Sequence, residues 1–286
     1  MRTFQQTSKS VIQHVVNANR QRYDFDFVVA TYENQDARTP RYRDRSNHST
    51  TYESTVNAEM LWKTYHKHIR HISRSPFKAA WIHVFNEDEI GAVLPRAILR
   101  QAPHLNKIKR LQDKNEIYMI NRIKRSLALV QQGIFLVHDL GLKRGRPHDL
   151  IFRLRPDLQL LSPLPLDQVR QAMWYGIQSL ETNPSLYMRS RLVLPVTYDP
   201  RGGLNIRPTQ LSTRPCARNG TLRPLWVQDH MALASMATMV IYARFYHSYL
   251  KPHIFSSHVE TSLAKYLSPE QINVSCLDSI RYTVVR

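Results

Sequence analysis

The spacing of apolar and polar residues divides this chain into elements before any other property is considered. Val11, Ile12, Val15 and Val16 recur at helical spacing, with Thr7 or Ser8 placed to cap the start. The run Tyr23 to Tyr32 is apolar, aromatic and β-branched, which predicts a strand. Between residues 33 and 55 the periodicity disappears, and Arg38, Arg41, Arg43 and Arg45 alternate with polar residues in an irregular loop. Ala58 to Ile72 returns to helical spacing with Met60, Leu61, Tyr65 and Ile69 on one side, and Phe77 to Phe85 reads as a second strand. An acidic start at residues 86–89 suits a helix running to Arg100 and closed by Pro103. His104 to Gln132 carries a long apolar stripe that includes Leu111, Ile120, Leu127 and Val130, and Gly133 is its expected end.

The second half continues the alternation. In Ile151-Phe-Arg-Leu-Arg155 the arginines alternate with apolar residues at the strand period, and Pro156 cannot donate to a ladder, so the strand should stop there. Leu166 to Tyr175 is a short helical or turn element, and Arg191 to Tyr198 a strand followed by the turn Asp199-Pro-Arg-Gly-Gly203. Residues 207–223 form a second irregular, basic loop. Met231 to Leu250 is apolar on most sides, which predicts one long buried helix. His258 to Leu267 reads as a helix, and Ile272 to Ser275 and Ile280 to Val285 as short strands. Helices alternating with strands, without a repeat or linker, predict a single α/β domain over 1–286 with a largely parallel central sheet flanked by helices.

Composition narrows the partners. The chain has 286 residues, 42% hydrophobic and 22% charged, which is ample material for a core. Its 40 Lys and Arg against 22 Asp and Glu give a net charge of +18, favouring phosphorylated ligands, polyanions or an anionic membrane surface. Cys216 and Cys276 form no metal-ligand spacing and no disulfide framework. No apolar run approaches a membrane span or a signal peptide, so the expectation is a cytoplasmic or membrane-peripheral protein. The Gly202-Gly203 pair lacks the spacing of a phosphate-binding or dinucleotide-binding loop. His66 and His68 fall on different faces of their helix, which argues against a metal site.

Candidate chemistry gathers at the ends of elements. Asp157 follows a strand end and two arginines; it either pairs with its neighbouring Arg or holds a divalent ion beside guanidinium forks that grip phosphate. Asp229 stands where a helix cap belongs, so capping and catalysis are both open. His258 and Glu260 open the next helix, where His258 is either a ligand or only a polar residue at a helix start. Together such groups supply what sugar transfer from a nucleotide donor requires: a metal on the diphosphate, cations for the leaving group and a carboxylate base.

The order Arg2-Thr-Phe, Asp24-Phe-Asp-Phe-Val-Val-Ala-Thr-Tyr32, Phe152-Arg-Leu-Arg-Pro-Asp157, Val227-Gln-Asp229-His-Met-Ala and His258-Val-Glu260 resembles the glycosyltransferase-like proteins of the lipopolysaccharide-synthesis (WavE-like) type. Such proteins typically open with an apolar strand and a Gly-x-x-Arg-Thr-Phe turn, and carry an "R-x-R-x-D" strand and an "H-P-E" segment. The resemblance implies a single Rossmann-like, GT-A-like domain that transfers a sugar from a nucleotide-sugar donor to a glycan, lipid-linked or surface-polysaccharide acceptor. It further implies Asp229 as catalytic base, Arg2, Thr31, Arg153 and Arg155 as donor-binding residues, and Asp157, His258 and Glu260 as ligands of Mn or Mg. Val259 replaces the usual Pro, and Met1 immediately precedes Arg2-Thr-Phe, so this reading expects a domain truncated before its first strand and glycine turn. Two alternatives accompany it: a basic nucleic-acid-binding protein, in keeping with the charge, and a catalytically inactive relative that keeps the fold.

Overall fold

The computed structural model describes residues 2–32, 59, 61–63, 77–85, 114–155, 158–174, 191–195, 227, 229–256, 259–267, 272–277 and 279–284. Helix α1 (Arg2–Val11) continues into a π-helical segment, Ile12–Asn17, and together they bury Val11, Ile12, Val15 and Val16. The helix starts earlier than a cap at Thr7 or Ser8 would place it, and both of those residues lie buried inside it. Carbonyls of the π segment accept donors from outside the ladder. His14 O takes the Leu164 N–H at 2.8 Å, and Asn19 Nδ2 donates to Val15 O at 2.8 Å and to Leu164 O at 3.0 Å.

Strands β1 (Phe25–Tyr32) and β2 (Phe77–Phe85) pair in parallel, with Val29 opposite Ile82. Leu61, in a helical stretch, buries against Phe27, Val29, Ile82 and Val84 on one face of this pair. Helix α2 (Lys114–Lys143) crosses the other face, where a Cβ built on Gly133 would lie 3.4 Å from Ala30 Cβ. Gly133 therefore serves close packing and does not end the helix. Gly145 ends it: at φ +64° it adopts the left-handed conformation that glycine tolerates best. Arg146 N–H then reaches Gly141 O and Gly145 N–H reaches Leu142 O, both at 3.0 Å, which satisfies the last carbonyls. The turn is fastened to β1 through Asp26, whose Oδ2 accepts bonds from Arg144 and from His148 Nε2 at 2.8 Å.

The four-stranded sheet runs in the order β3 (Ile151–Leu154), β6 (Met231–Ala234), β5 (Arg191–Pro195), β7 (Asn273–Leu277). β6 is antiparallel to both of its neighbours, and β5 and β7 are parallel. β4 (Leu158–Leu160) pairs separately and antiparallel with β8 (Tyr282–Val284). Helices cover both faces of the four-stranded sheet. Ile151, Leu192, Leu194, Ala232, Ala234 and Val274 pack with α2, α4 (Met236–Ser248) and α5 (Val259–Leu267). Val193, Met231 and Leu233 pack with Leu158, Leu160, α1 and α3 (Leu166–Trp174). Burial on both faces is why Met231–Ala234 reads as an unbroken apolar run.

That run was expected to belong to a helix from Met231 to Leu250. It forms a strand instead because it pairs with β3 and β5 at once, and tertiary pairing outweighs the helix preference of Met, Ala and Leu. The helix begins only after Ser235, which has extended dihedrals (φ −64°, ψ 160°) and accepts the Thr238 N–H at 3.4 Å. Inside the core, Phe245 sits edge-on to Tyr249 with centroids 5.7 Å apart. Tyr266 donates its hydroxyl proton to Ile241 O at 2.9 Å, so α5 meets α4 through a hydrogen bond as well as apolar contact. Among the described residues no helix is long and apolar enough to cross a membrane.

Candidate functional site

Antiparallel pairing of β3 and β6 sets the C-terminal end of one beside the start of the other, with Leu154 opposite Met231. The residues just beyond each end must therefore meet. Arg155 N–H donates to His230 O at 3.0 Å, extending the ladder by one bond. Arg155 Nη1 then stands 3.8 Å from Asp229 Oδ1, and His230 Nε2 stands 3.9 Å from the same oxygen. Asp229 is neither free nor sealed: its side chain keeps 23% exposure and that of Arg155 keeps 31%. At this distance and exposure the ion pair contributes on the order of 1 kcal/mol.

Two further groups complete the cluster. Arg153 lies opposite Ala232, on the face that packs against α4, and its Nη1 is buried with no hydrogen-bond partner among the described residues. A buried guanidinium nitrogen is a strong donor to an oxyanion. Tyr242 of α4 senses both charges. Burial pushes its hydroxyl up from the ordinary tyrosine value, Arg153 pulls it partly back and Asp229 raises it again. On the other side, the Tyr282 hydroxyl of β8 and His230 Nδ1 are 2.9 Å apart, and the rings meet edge to face at 5.8 Å.

No protein family, curated protein or solved structure matches this chain. The reading of the site rests on its own residues.

Of the residues nominated from sequence, the structure brings Arg153, Arg155 and Asp229 to one place. Asp229 is not the cap of α4, since Ser235 holds that position and Asp229 precedes a strand. Glu260 lies in the first turn of α5, where its backbone O accepts the Val227 N–H at 3.2 Å, two residues before Asp229. Its charge helps burial to raise the hydroxyl of Tyr249. Thr31 sits in β1 opposite Val84, and Arg2 in the first turn of α1, a helix that packs on β4. The described contacts do not set Thr31 beside Arg155 and Asp229. Asp157 and His258 lie outside the described residues. Among the described residues no group of three His, Cys, Asp or Glu side chains could hold a metal ion.

Sequence reasoning passed over His230 and Tyr282. His230 adjoins Asp229 and could have been considered with it. Tyr282 is separated from His230 by 52 positions in a plain strand pattern, and nothing local signals their contact.

Proposed function

We propose that this protein is a nucleotide-sugar-dependent glycosyltransferase with a GT-A-like, Rossmann-like α/β domain, acting at the edge formed by Arg155 and Asp229. One observation carries the reading. A partly exposed carboxylate lies between a guanidinium at 3.8 Å and an imidazole at 3.9 Å, and the buried Nη1 of Arg153 has no hydrogen-bond partner among the described residues. Arg153 and Arg155 would take the donor diphosphate and offset leaving-group charge. Asp229 would accept the proton of the acceptor hydroxyl or hold that hydroxyl in line. A Mn or Mg ion on the diphosphate, held by Asp157, His258 and Glu260, belongs to the same proposal and would neutralise charge there.

Calorimetric titration with UDP, GDP and CDP, with and without manganese, tests the binding half, and nucleoside diphosphate release from a nucleotide-sugar panel tests the transfer half. Arg155→Met should weaken nucleotide binding by about tenfold or more, the loss of one charge-assisted hydrogen bond. Asp229→Asn should bind the nucleotide normally and lose on the order of a hundredfold or more in turnover. Absence of binding to every nucleotide, with and without the ion, would sink the reading. Binding without any turnover would identify an inactive relative. The net charge of +18 favours a second reading, a nucleic-acid-binding protein, which requires binding to RNA or DNA that weakens steeply with salt.

A further inference from the structure

We infer that Tyr282 and His230 form a positioning couple for Asp229, so that the C-terminal strand β8 sets the orientation of the catalytic carboxylate; this rests on the reading of Asp229 given above. Each ring nitrogen of His230 has a different neighbour. Nδ1 lies 2.9 Å from the Tyr282 hydroxyl, and Nε2 lies 3.9 Å from Asp229 Oδ1. A phenol is a better donor than acceptor toward a neutral imidazole, so the Tyr282 hydroxyl donates to Nδ1 and the ring proton resides on Nε2, facing the carboxylate. The main chain of His230 is tied as well, since Arg155 N–H binds His230 O at 3.0 Å. Edge-to-face packing at 85° between the two rings prevents the imidazole from turning freely.

Asp229 thereby lies within ion-pair range of two groups, Arg155 Nη1 at 3.8 Å and His230 Nε2 at 3.9 Å, both longer than a hydrogen bond. The division of labour follows from chemistry. Arg155 is the group a donor phosphate would recruit, and when it swings to the phosphate, His230 remains to hold the carboxylate in place. His230 is a positioning residue here: it acts on the acceptor through Asp229. Among the described contacts, the charged and titratable groups that face it include Asp229 on its own segment, Arg155 beyond β3 and Tyr282 on β8.

The experiment has two arms, both on the full chain. In the first, nitrogen-detected NMR of the histidine rings, with His230 assigned by its loss in His230→Gln, reads the tautomer and titration midpoint of that ring. The neutral ring should carry its proton on Nε2. Tyr282→Phe keeps the aromatic packing and should remove the tautomer bias and raise the midpoint, because a bond to the neutral form is lost. Asp229→Asn should lower the midpoint, because a neighbouring negative charge is lost. Shifts in these opposite directions, each about half a pH unit or more, support the couple. A ring unaffected by either substitution overturns it, whatever the reaction proves to be.

The second arm follows sugar transfer. Tyr282→Phe should lower kcat by about tenfold, leave the donor KM unchanged and displace the acid limb of the pH profile. Unchanged kcat and pH profile in Tyr282→Phe, with the wild-type protein active, also overturn the couple. Absence of transfer by the wild-type protein counts against the glycosyltransferase reading alone, and the NMR arm still decides the couple.

Discussion

Asp26→Asn probes the tie that fastens β1 to the end of α2. The carboxylate side chain is 8% exposed, Arg144 is 31% exposed and His148 is 17% exposed. One oxygen, Oδ2, accepts from both partners, while Oδ1 is buried with no hydrogen-bond partner among the described residues. A charge-assisted hydrogen bond contributes roughly 1.5–3 kcal/mol and a neutral one roughly 0.5–1.5. Asparagine can turn its own oxygen toward Arg144 and His148, so the His148 bond falls from the first class to the second, a loss of about 1 kcal/mol. The Arg144 bond keeps its charged donor but loses the ion-pair attraction, on the order of another 1 kcal/mol. Together these give an expected loss of about 2 kcal/mol. This is below the roughly 3–5 kcal/mol for breaking a fully buried pair, because Arg144 can regain water. Arg144→Met should cost about 1 kcal/mol, and the double variant should show a coupling of about 1 kcal/mol with Asp26→Asn. Urea unfolding followed by circular dichroism measures all three, with an unchanged slope confirming that the unfolding transition is the same. A loss below about 0.5 kcal/mol for Asp26→Asn, or strict additivity in the double variant, would refute the reasoning.

Two other expectations follow from packing and ionisation. Gly133→Leu should destabilise the fold by about 1–3 kcal/mol, because the side chain enters the 3.4 Å approach to Ala30, whereas Gly133→Ala should change stability far less, improved helix propensity offsetting the tighter contact; equal midpoints for wild type and Gly133→Leu in the same urea assay would place α2 away from β1. Burial raises the hydroxyls of Tyr23, Tyr242, Tyr246 and Tyr249 above the ordinary value near 10, so below that pH their contribution to stability is complete. Above it the unfolded chain loses these protons first and stability falls as pH rises, so tyrosinate absorbance and loss of helical signal should rise together in an alkaline titration; complete ionisation of all tyrosines with the helical signal intact would contradict their burial.

Much of the fold was legible because it is local. Phe77–Phe85 forms a strand with the expected bounds, and Val11, Ile12, Val15 and Val16 are the buried positions of the first helix. Such patterns depend on which side of an element meets the core, and the period of the chain states that directly. Even the cap of α4 had a visible signal, since Ser235 interrupts an apolar run three residues before Thr238.

Elsewhere the chain is silent, for reasons of physics. Met231–Ala234 is apolar at every position, and a segment buried on all sides has no period from which strand and helix can be told apart. Its state was decided by β3 and β5 lying on either side. Gly133 and Gly145 look equally able to end a helix, and only the presence of Ala30 against one and the left-handed turn at the other separates them. β4 is three residues long and exists as a strand because β8, from the far end of the chain, pairs with it. The candidate site divides in the same way. The chemical character of Arg153, Arg155 and Asp229 was evident from residue type, although a strand, not the expected helix, follows Asp229. Their meeting, and the hold of Tyr282 on His230, came from antiparallel pairing and long-range closure, which bring together residues whose separation along the chain carries no record of the contact.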